Sequence, residues 1–373
     1  MGTNRPWFVI AGGGTGGHLY PGLAVAEILQ GLQPDIEISV FGTPRAIDKK
    51  LTDARDYELI AQEVLPFPKM PWGWPKFLMA WRRSVKLARA CFKERLPAAV
   101  LGLGGYAAGP ALMVASKLGV PTAILNPDAV PGKANKQLAS YADQVFVQWE
   151  ETVERFPRAK SVRCTGCPIR SVFSKAKART GYRSIQLDPD MNTLLITGAS
   201  QGARSINATV MELFDLWRVA KDWQILHLTG PADLEMCRAK YKEHGIPGRT
   251  LAFTEHMAYC MAVADLVISR AGASTLAEIT AMSLPSILLP YPYDRKKHQL
   301  ANAKVLAKNR AAVLIEDTTD PKANAALLRD ELRDIMRSEE RRRHMSRSAG
   351  ALGRNDAAER IAQELFEMAR RGA

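Results

Sequence analysis

Residues 7–18 read WFVIAGGGTGGH, an apolar run followed at once by a turn rich in glycine. An apolar run of this length predicts a buried strand, and the glycines predict a tight turn into a helix. Residues 194–203, LLITGASQGA, repeat the arrangement about half a chain later. Two such openings predict an α/β protein with two doubly wound, Rossmann-like domains of parallel strands.

Outward from these openings, short apolar runs alternate with stretches of helical period, which is typical of βα units. We place a domain boundary at Gly166, giving domains 1–165 and 166–373. A last helix at about residues 356–371 has one apolar face, so we expect it to pack on a domain, with the N-terminal domain as a candidate. The predicted strands are residues 7–11, 37–41, 98–103, 122–125, 144–147, 161–164, 193–197, 224–228, 251–254, 266–269, 286–289 and 312–315.

Residues 175–190 are polar and charged, and we expect an exposed connector there. Residues 96–116 carry no charge over a length that could cross a bilayer, but they contain four glycines and two prolines. We therefore predict a strand, a loop and a helix from Pro110 to Leu118 instead of a membrane span.

The composition is that of a folded globular protein, with 47% hydrophobic and 24% charged residues in 373. A formal net charge of +13 indicates an anionic partner. The basic residues are spread along the chain, which favours a phosphate-bearing substrate over nucleic acid. Five cysteines, an odd number, and no secretory signal favour a reducing cytoplasm.

The first glycine turn has the G-x-G-x-x-G spacing of dinucleotide sites, whose backbone N–H groups bind phosphate at a helix N-terminus. No acidic residue follows the second predicted strand, which disfavours NAD or FAD. His18 ends the turn, where an imidazole could take a proton from a reacting hydroxyl; the alternative is a structural histidine.

The second turn offers Ser200 and Gln201 to a diphosphate, or Ser200 as an ordinary N-cap. Further on, the backbone of Ser274 and Thr275 could bind phosphate while Glu278 accepts from ribose hydroxyls. From the residues alone, Thr275 and Glu278 fit a capping box better.

No metal or other cofactor is expected. Cys164 and Cys167 form a CxxC without a second pair at zinc spacing. The Asp188-Pro189-Asp190 sequence precedes a predicted strand, so a surface turn is the better interpretation than a metal site.

Residues 70–83, MPWGWPKFLMAWRR, combine tryptophans with cations. Such a segment suits the interface of an anionic membrane, or a helix that covers a core and has a solvated basic face. The candidate membrane residues are Trp72, Trp74, Phe77, Leu78, Trp81, Arg82 and Arg83.

Taken together, the motifs resemble the MurG family, which transfers N-acetylglucosamine from UDP-GlcNAc to lipid I to make lipid II of peptidoglycan. The resemblance covers nearly the whole chain. The matching blocks, in order, are residues 13–18, 104–106, 129–132 with Asn135, 165–170, 200–203, 270–273 with Glu278, and 298–299 with 302–303.

The resemblance implies a GT-B fold, two Rossmann-like domains facing across a cleft, in a peripheral protein at the cytoplasmic face of the membrane. It implies that the glycines of both N-terminal loops bind the acceptor. The implied acceptor residues are Gly14, Gly104, Gly105, Tyr106, Asn126 and Asp128. The implied donor residues are Thr15, Gly16, Gly17, Arg170, Ser200, Gln201, Thr254, Ala273, Ser274, Thr275, Glu278, His298 and Gln299.

Within this implied reaction, the acceptor C4 hydroxyl attacks the anomeric carbon with inversion, and UDP leaves without a metal. His18 is the first candidate base. The chain departs from the family at residues 125–128, Leu-Asn-Pro-Asp, where the family has His-Glu-Gln-Asn; Asp128 therefore becomes a second catalytic candidate. Cys167 stands where the family has Asn.

Other interpretations are a related GT-B transferase with another lipid acceptor, a UDP-sugar epimerase, and a non-catalytic nucleotide-sugar binder.

Overall fold

The computed structural model describes residues 5–68, 70–198, 202–218 and 220–372. The chain divides into two compact units, the first made of residues 1–170 with 354–373 and the second of residues 171–353. The predicted boundary at Gly166 falls four residues before the end of the first segment of the first unit.

The first unit is a parallel sheet of seven strands in the order β3-β2-β1-β4-β5-β6-β7. Short 3-10 helices lie at Pro71–Gly73, Ala139–Tyr141 and Glu150–Arg155. The strands and helices are β1 (Trp7–Ala11), α1 (Gly16–Leu32), β2 (Glu37–Gly42), α2 (Ala46–Asp53), β3 (Glu58–Ala61), α3 (Trp74–Glu94), β4 (Ala99–Gly102), α4 (Gly109–Lys117), β5 (Thr122–Asn126), α5 (Lys133–Leu138), β6 (Gln144–Val147) and β7 (Val162–Cys164).

The second unit repeats the plan with six parallel strands, in the order β10-β9-β8-β11-β12-β13. A 3-10 helix lies at Phe214–Arg218. The strands and helices are α6 (Val172–Lys175), α7 (Ala178–Ile185), β8 (Asn192–Thr197), α8 (Arg204–Met211), β9 (Trp223–Leu228), α9 (Leu234–Glu243), β10 (Gly248–Leu251), α10 (Met257–Ala262), β11 (Leu266–Ser269), α11 (Ala273–Ala281), β12 (Ser286–Leu288), α12 (His298–Lys308), β13 (Ala312–Leu314), α13 (Pro321–Arg337) and α14 (Glu339–Leu352).

The last helix, α15 (Ala357–Gly372), belongs to the first unit. Its apolar face, with Ile361, Ala362 and Leu365, joins the core formed by Leu19 and Leu23 of α1. The first unit is thus completed by residues from the far end of the chain.

In both sheets the first strand of the unit is third in the order, and the chain winds outward from it on either side. In such sheets, ligands bind beyond the carboxyl ends of the strands, at the point where the winding reverses. The turns after β1 and β4, and after β8 and β11, occupy that position. The α/β architecture with two doubly wound sheets is confirmed.

Three sequence predictions were wrong in detail. The strand predicted at 251–254 lies at Gly248–Leu251, since these residues pair with β9, and Phe253 beyond them is 56% exposed. The short edge strand β3 was missed. The predicted connector contains helix α7, whose Gly181 packs closely against Val263 and the Tyr259 carbonyl, where a Cβ would lie 2.6 and 2.9 Å from them.

Residues 96–116 contain β4, the loop after it and all but the last residue of α4. Among the helices of the described part of the chain, none has the length and apolar character needed to cross a membrane.

Candidate active site

The first glycine turn connects β1 to α1 in the first unit. Gly12, Gly13 and Gly14 have φ values of 151°, 155° and 90°, in the region that favours glycine. The Gly14 N–H donates to both carboxylate oxygens of Asp48, at 2.8 and 2.9 Å. This amide therefore faces the protein, so an acceptor role of Gly14 cannot use its N–H.

The exposed part of the turn is Thr15, Gly17 and His18, with Gly16 half-buried. Thr15 is the N-cap of α1, and its carbonyl accepts from the His18 and Leu19 N–H groups. The His18 imidazole thus projects from the first turn of a long helix, whose N-terminus favours negative charge.

The second glycine turn follows β4, with Gly104 and Gly105 at φ values of 82° and 70°. Asn135 of α5 supports it: its Oδ1 accepts from the Gly105 N–H at 3.1 Å, and its Nδ2 donates to Asn126 Oδ1 at 2.9 Å. Asn126 is 1% exposed, and its Nδ2 donates to the Asp128 carbonyl at 2.7 Å. Asn126 therefore acts through the backbone that it positions.

Beside this turn lies an apolar cavity of about 600 Å³. Gly105, Tyr106 and Trp81 line it together with Phe67, and Arg155 and Arg158 add positive charge to its wall. The cavity joins the candidate acceptor turn to the aromatic segment around α3.

That aromatic segment divides into two faces. Trp72, Trp74 and Leu78 are 75%, 43% and 44% exposed, and Arg82 and Arg83 are exposed too. Phe77 is 5% exposed and stacks on Trp81, with ring centroids 6.0 Å apart. The assignment of Phe77 to a membrane surface was therefore wrong, because this side chain faces the core.

Arg170 is the last residue of the first segment of the first unit, whereas the predicted boundary at Gly166 assigns it to the C-terminal domain. Its guanidinium lies over the Tyr20 ring of α1, 4.9 Å from the centroid. The contact places a predicted donor-binding cation against the helix that begins at the first glycine turn.

In the second unit, a cavity of about 560 Å³ lies at the carboxyl ends of β8 and β11. It brings together two of the predicted donor residues, Thr275 and Gln299. Gln299 Oε1 accepts from the Ala271 and Tyr291 N–H groups, at 3.3 and 3.0 Å. The remaining described lining residues are Gly198, Gly202, Ala203, Arg204, Ser205, Ala208, Arg270, Gly272, Tyr291, Pro292, Tyr293, Thr319 and Pro321.

A buried ion pair supports this cavity. The Arg270 guanidinium donates to Asp317 Oδ2 at 2.7 Å and to Ser205 Oγ at 2.6 Å. Ser205 Oγ also donates to Asp317 Oδ2, at 2.6 Å. Burial alone would raise the pKa of Asp317, but hydrogen bonds from Ser205 and Arg270 hold this pKa below its ordinary value. The pair connects α8, the loop after β11 and the segment after β13.

The predicted capping box on α11 is wrong. The N-cap is Gly272, without a side-chain cap, so Thr275 already lies inside the first turn. Ala273, Ser274 and Thr275 therefore contribute the helix N-terminal backbone, and Glu278 follows one turn later. This arrangement suits an anion at the helix N-terminus.

The N-cap of α8 is Ala203. Ser200 and Gln201 lie outside the described residues. Thr254 follows β10, and its Oγ1 accepts from the His256 N–H at 2.9 Å. His298 is the first residue of α12.

Among the described residues, neither Cys164 nor Cys167 takes part in a disulfide. Asp188 Oδ1 accepts from the Asp190 N–H at 2.9 Å, which gives a turn at this position. Within the described ranges, no three His, Cys, Asp or Glu side chains come together as a metal site would require.

Comparison with known proteins identifies this arrangement. Residues 8–147 match the glycosyltransferase family 28 N-terminal domain, and residues 193–361 match the family 28 C-terminal domain. A relative from Desulforamulus reducens is 36% identical, with 94% of this chain and 95% of the relative covered. The chain belongs to the MurG family.

That relative is named UDP-N-acetylglucosamine--N-acetylmuramyl-(pentapeptide) pyrophosphoryl-undecaprenol N-acetylglucosamine transferase. A relative of the same name from Bacillus subtilis is 34% identical over 96% of this MurG-family chain and 98% of its own length. The crystal structure of Acinetobacter baumannii MurG superposes with a TM-score of 0.75 at 25% identity, covering 97% of this chain and all of that one.

A UDP-N-acetylglucosamine 2-epimerase from Listeria monocytogenes superposes with a TM-score of 0.66 at 14% identity, which shows a shared fold alone. The architecture of the MurG family is GT-B, and the expected fold class is confirmed.

Sequence reasoning missed Asp48, Asp317 and Ser205. Asp48 is 34 residues from Gly14, and Asp317 is 47 from Arg270. Neither stands in a glycine motif, so only the folded contacts reveal them.

Proposed function

We propose that this protein transfers N-acetylglucosamine from UDP-GlcNAc to the C4 hydroxyl of the N-acetylmuramoyl group of lipid I. The product is lipid II, the precursor of peptidoglycan. The observation that carries this proposal is similarity over nearly the full length to relatives named for that reaction.

We assign the donor to the second unit. Its cavity lies at the N-termini of α8 and α11, where backbone N–H groups and Arg204 favour a diphosphate. Thr275 and Gln299 line the same cavity. Carried over from the family, Ser200 and Gln201 bind the diphosphate, Glu278 the ribose, the backbone at Thr254 the uracil, and Ala273, His298 and Gln299 the sugar. The other donor residues that the resemblance implies, Thr15, Gly16, Gly17 and Arg170, belong to the first unit.

We assign the acceptor to the first unit. Its two glycine turns lie at the carboxyl ends of neighbouring strands, β1 and β4. The turn at Gly104 to Tyr106 borders the apolar cavity, which suits a substrate that carries both a diphosphate and a prenyl chain.

The chemistry needs a base and stabilisation of the leaving group. The acceptor C4 oxygen attacks the anomeric carbon, the bond to UDP breaks with inversion, and the hydroxyl proton passes to a base. His18 is exposed at the start of α1 and is our first choice. Asp128 shares this role as a carboxylate where the family has an amide. Helix N-termini and arginines stabilise the departing UDP anion without a metal.

A transfer assay tests the proposal, with UDP-GlcNAc, UDP-glucose and UDP-GalNAc offered in turn against a lipid I analogue. Transfer from UDP-GlcNAc is expected, and its absence contradicts the proposed function. His18→Ala and Asp128→Asn should each lower kcat by about 10²-fold or more. Full turnover by Asp128→Asn, together with loss of turnover in His18→Ala, would remove Asp128 from the mechanism.

We further propose that the exposed face of α3 binds the anionic cytoplasmic membrane surface. Leu78→Ser should weaken sedimentation with phosphatidylglycerol vesicles, because this exposed side chain lies among tryptophans and arginines. Leu327→Ser is the matched control, since Leu327 is 53% exposed on α13 of the second unit. Equal vesicle binding by the two variants would contradict the membrane assignment.

A further inference from the structure

Helix α2 supports the first glycine turn through a buried carboxylate. Asp48 is fully buried, and its carboxylate accepts from the Gly14 N–H, the Thr43 N–H at 2.9 Å and the Thr43 hydroxyl at 2.7 Å. A Cβ at Gly13 would lie 2.1 Å from Asp48 Oδ2. The glycine turn is thus packed directly on the Asp48 carboxylate, and the shape of the turn depends on this carboxylate.

A buried negative charge beneath the turn opposes the binding of an anion above it. The charge acts over a short distance in a region from which water is excluded, where electrostatic interactions are strong. The α1 N-terminus offsets it only in part, because a helix end carries about half an elementary charge. A diphosphate at this turn therefore needs a further cation.

Arg45 supplies a cation at the exposed side of the same turn. It is the N-cap residue of α2, it is exposed, and its Nη1 donates to the Gly14 carbonyl at 2.8 Å. Nη1 also lies 3.5 Å from the position that a Gly14 Cβ would take. None of the ion pairs found among the described residues includes Arg45, and a guanidinium has five N–H donors.

We propose that Arg45 binds the diphosphate of the lipid acceptor and that Asp48 is the positioning residue that gives the turn its binding shape. Arg45 binds the peptide carbonyl through one N–H and directs others to phosphate oxygens. Asp48 turns the Gly14 N–H inward and thereby exposes the backbone from Thr15 onwards. The inference rests on the proposed function, and it adds two residues that the sequence motifs do not contain.

The first experiment compares Arg45→Gln with Lys49→Gln, using steady-state transfer to a lipid I analogue. Both side chains are exposed on the same short helix, and both variants lose one positive charge. Arg45→Gln should raise the KM for the acceptor about tenfold and leave the KM for UDP-GlcNAc within about twofold, because a charged hydrogen bond to phosphate is lost. Lys49→Gln should change both values by less than about twofold.

Inorganic diphosphate serves as a second probe. It should compete with the acceptor for the wild-type enzyme, and Arg45→Gln should raise its inhibition constant by the same factor as the acceptor KM. An equal acceptor KM in the two glutamine variants overturns the role of Arg45. If the wild-type protein transfers no sugar to lipid I analogues, the proposed function itself fails; transfer by wild type with an unchanged Arg45→Gln overturns this inference alone.

Asp48→Asn tests the positioning residue. The side chain keeps its size, but its Nδ2 meets N–H and O–H donors, so the turn should relax and the acceptor KM should rise about tenfold or more. The UDP-GlcNAc KM should remain within about twofold; a loss of folded protein would lower the apparent kcat and leave both KM values unchanged, so the selective rise of the acceptor KM reports the turn. Asp48→Glu, which restores the charge, should recover part of the acceptor affinity. An unchanged acceptor KM in a folded Asp48→Asn overturns the role of Asp48.

Discussion

His227 is the fifth of the six residues of β9 and has no solvent exposure, and its neighbours fix which ring nitrogen carries the proton. Asn207 Nδ2 donates to the Thr229 carbonyl at 2.9 Å and to Asp233 at 2.8 Å, so Asn207 Oδ1 faces His227 Nε2 at 3.0 Å. Nε2 must therefore donate. Nδ1 then accepts from the Tyr241 hydroxyl at 2.8 Å.

This arrangement predicts a pH dependence of stability. Burial lowers the pKa of His227 to about 3, while the unfolded chain keeps a value of about 6.5. The unfolded state therefore binds one more proton between these pH values, and the free energy of unfolding falls as the pH falls. The contribution has a slope of about 1.4 kcal/mol per pH unit.

Denaturant titrations across this pH range, compared between the wild type and His227→Gln, measure the contribution. The variant should lose that slope. Nitrogen NMR of the imidazole provides an independent check, with the Nε2–H form expected at pH 5. A protonated imidazolium at pH 5 contradicts the prediction.

The Arg270–Asp317 pair makes a second prediction for a single residue. Asp317→Asn leaves a buried guanidinium without its counter-charge, so the free energy of unfolding should fall by about 3 kcal/mol. Asp334→Asn removes an exposed partner of Arg333 and should cost less than about 1 kcal/mol. Since its folded pKa is lowered, the charged Asp317 stabilises the folded protein above the unfolded pKa of about 3.9, and this stabilisation is lost as the pH falls further.

Denaturant unfolding and UDP binding are the two measurements for this pair. Asp317→Asn should also weaken UDP binding, because Ser205 and the loop after β11 lose their common partner. Comparable losses of stability in Asp317→Asn and Asp334→Asn would show that burial does not increase the contribution of the Arg270–Asp317 pair to the free energy of unfolding.

At the scale of elements, two of the four glycines of α1, Gly22 and Gly31, lie in opposite environments. A Cβ at Gly22 would lie 2.6 Å from Leu103 Cδ1 and 2.7 Å from Ile10 Cγ2, whereas nothing lies within 4 Å of a Cβ at Gly31. Gly22→Ala should therefore destabilise the protein by about 1–3 kcal/mol through overpacking. Gly31→Ala should stabilise it by up to about 1 kcal/mol, as alanine favours helix.

Urea unfolding of the two alanine variants measures the contrast. Stabilisation by Gly22→Ala would mean that α1 does not approach β1 as closely as the packing indicates.

The elements most open to sequence prediction were the central strands. β1 and β8 are buried on both faces, so their apolar runs are continuous, and the glycine turns mark where they end. β3 has only four residues, none of them buried, and its pairing with β2 is not visible in its composition.

The candidate site was predictable only where its residues stand in the motifs that resemble the family. Thr275 in α11 and Gln299 in α12 were implied by that resemblance, and both line the cavity of the second unit. Two supporting residues were not predictable, Asp48 and Asp317, because they act through contacts between positions that are far apart in the sequence. A buried carboxylate on α2 looks in the sequence like any acidic residue of a surface helix.

For the whole molecule, the fold of the first unit depends on α15, which is separated from the rest of that unit by residues 171–353. Four of its buried side chains, Ile361, Ala362, Leu365 and Met368, belong to the same core as α1. Burial of the three larger side chains, Ile361, Leu365 and Met368, is worth roughly 4.5–9 kcal/mol, which is comparable with the net stability of a domain.

A chain that ends at Gly353 should therefore lose the folded first unit while the second unit still binds UDP. A chain that ends at Arg370 is the control, since Arg371 and Gly372 are exposed. Limited proteolysis with mass spectrometry reports which residues are cleaved. Protection of residues 5–170 in the shorter chain would contradict the prediction, and added peptide 354–373 should restore it.

The same helix sets an order of events on the ribosome. Residues 1–170 are made before residues 354–373, yet their core is complete only when this later segment packs against them. At about 5–20 residues per second, the intervening residues 171–353 alone impose a delay of roughly 10–40 seconds. During that interval the nascent N-terminal sheet exposes the apolar surface that α15 later covers. Chaperones that bind apolar surface can bind the chain at this place.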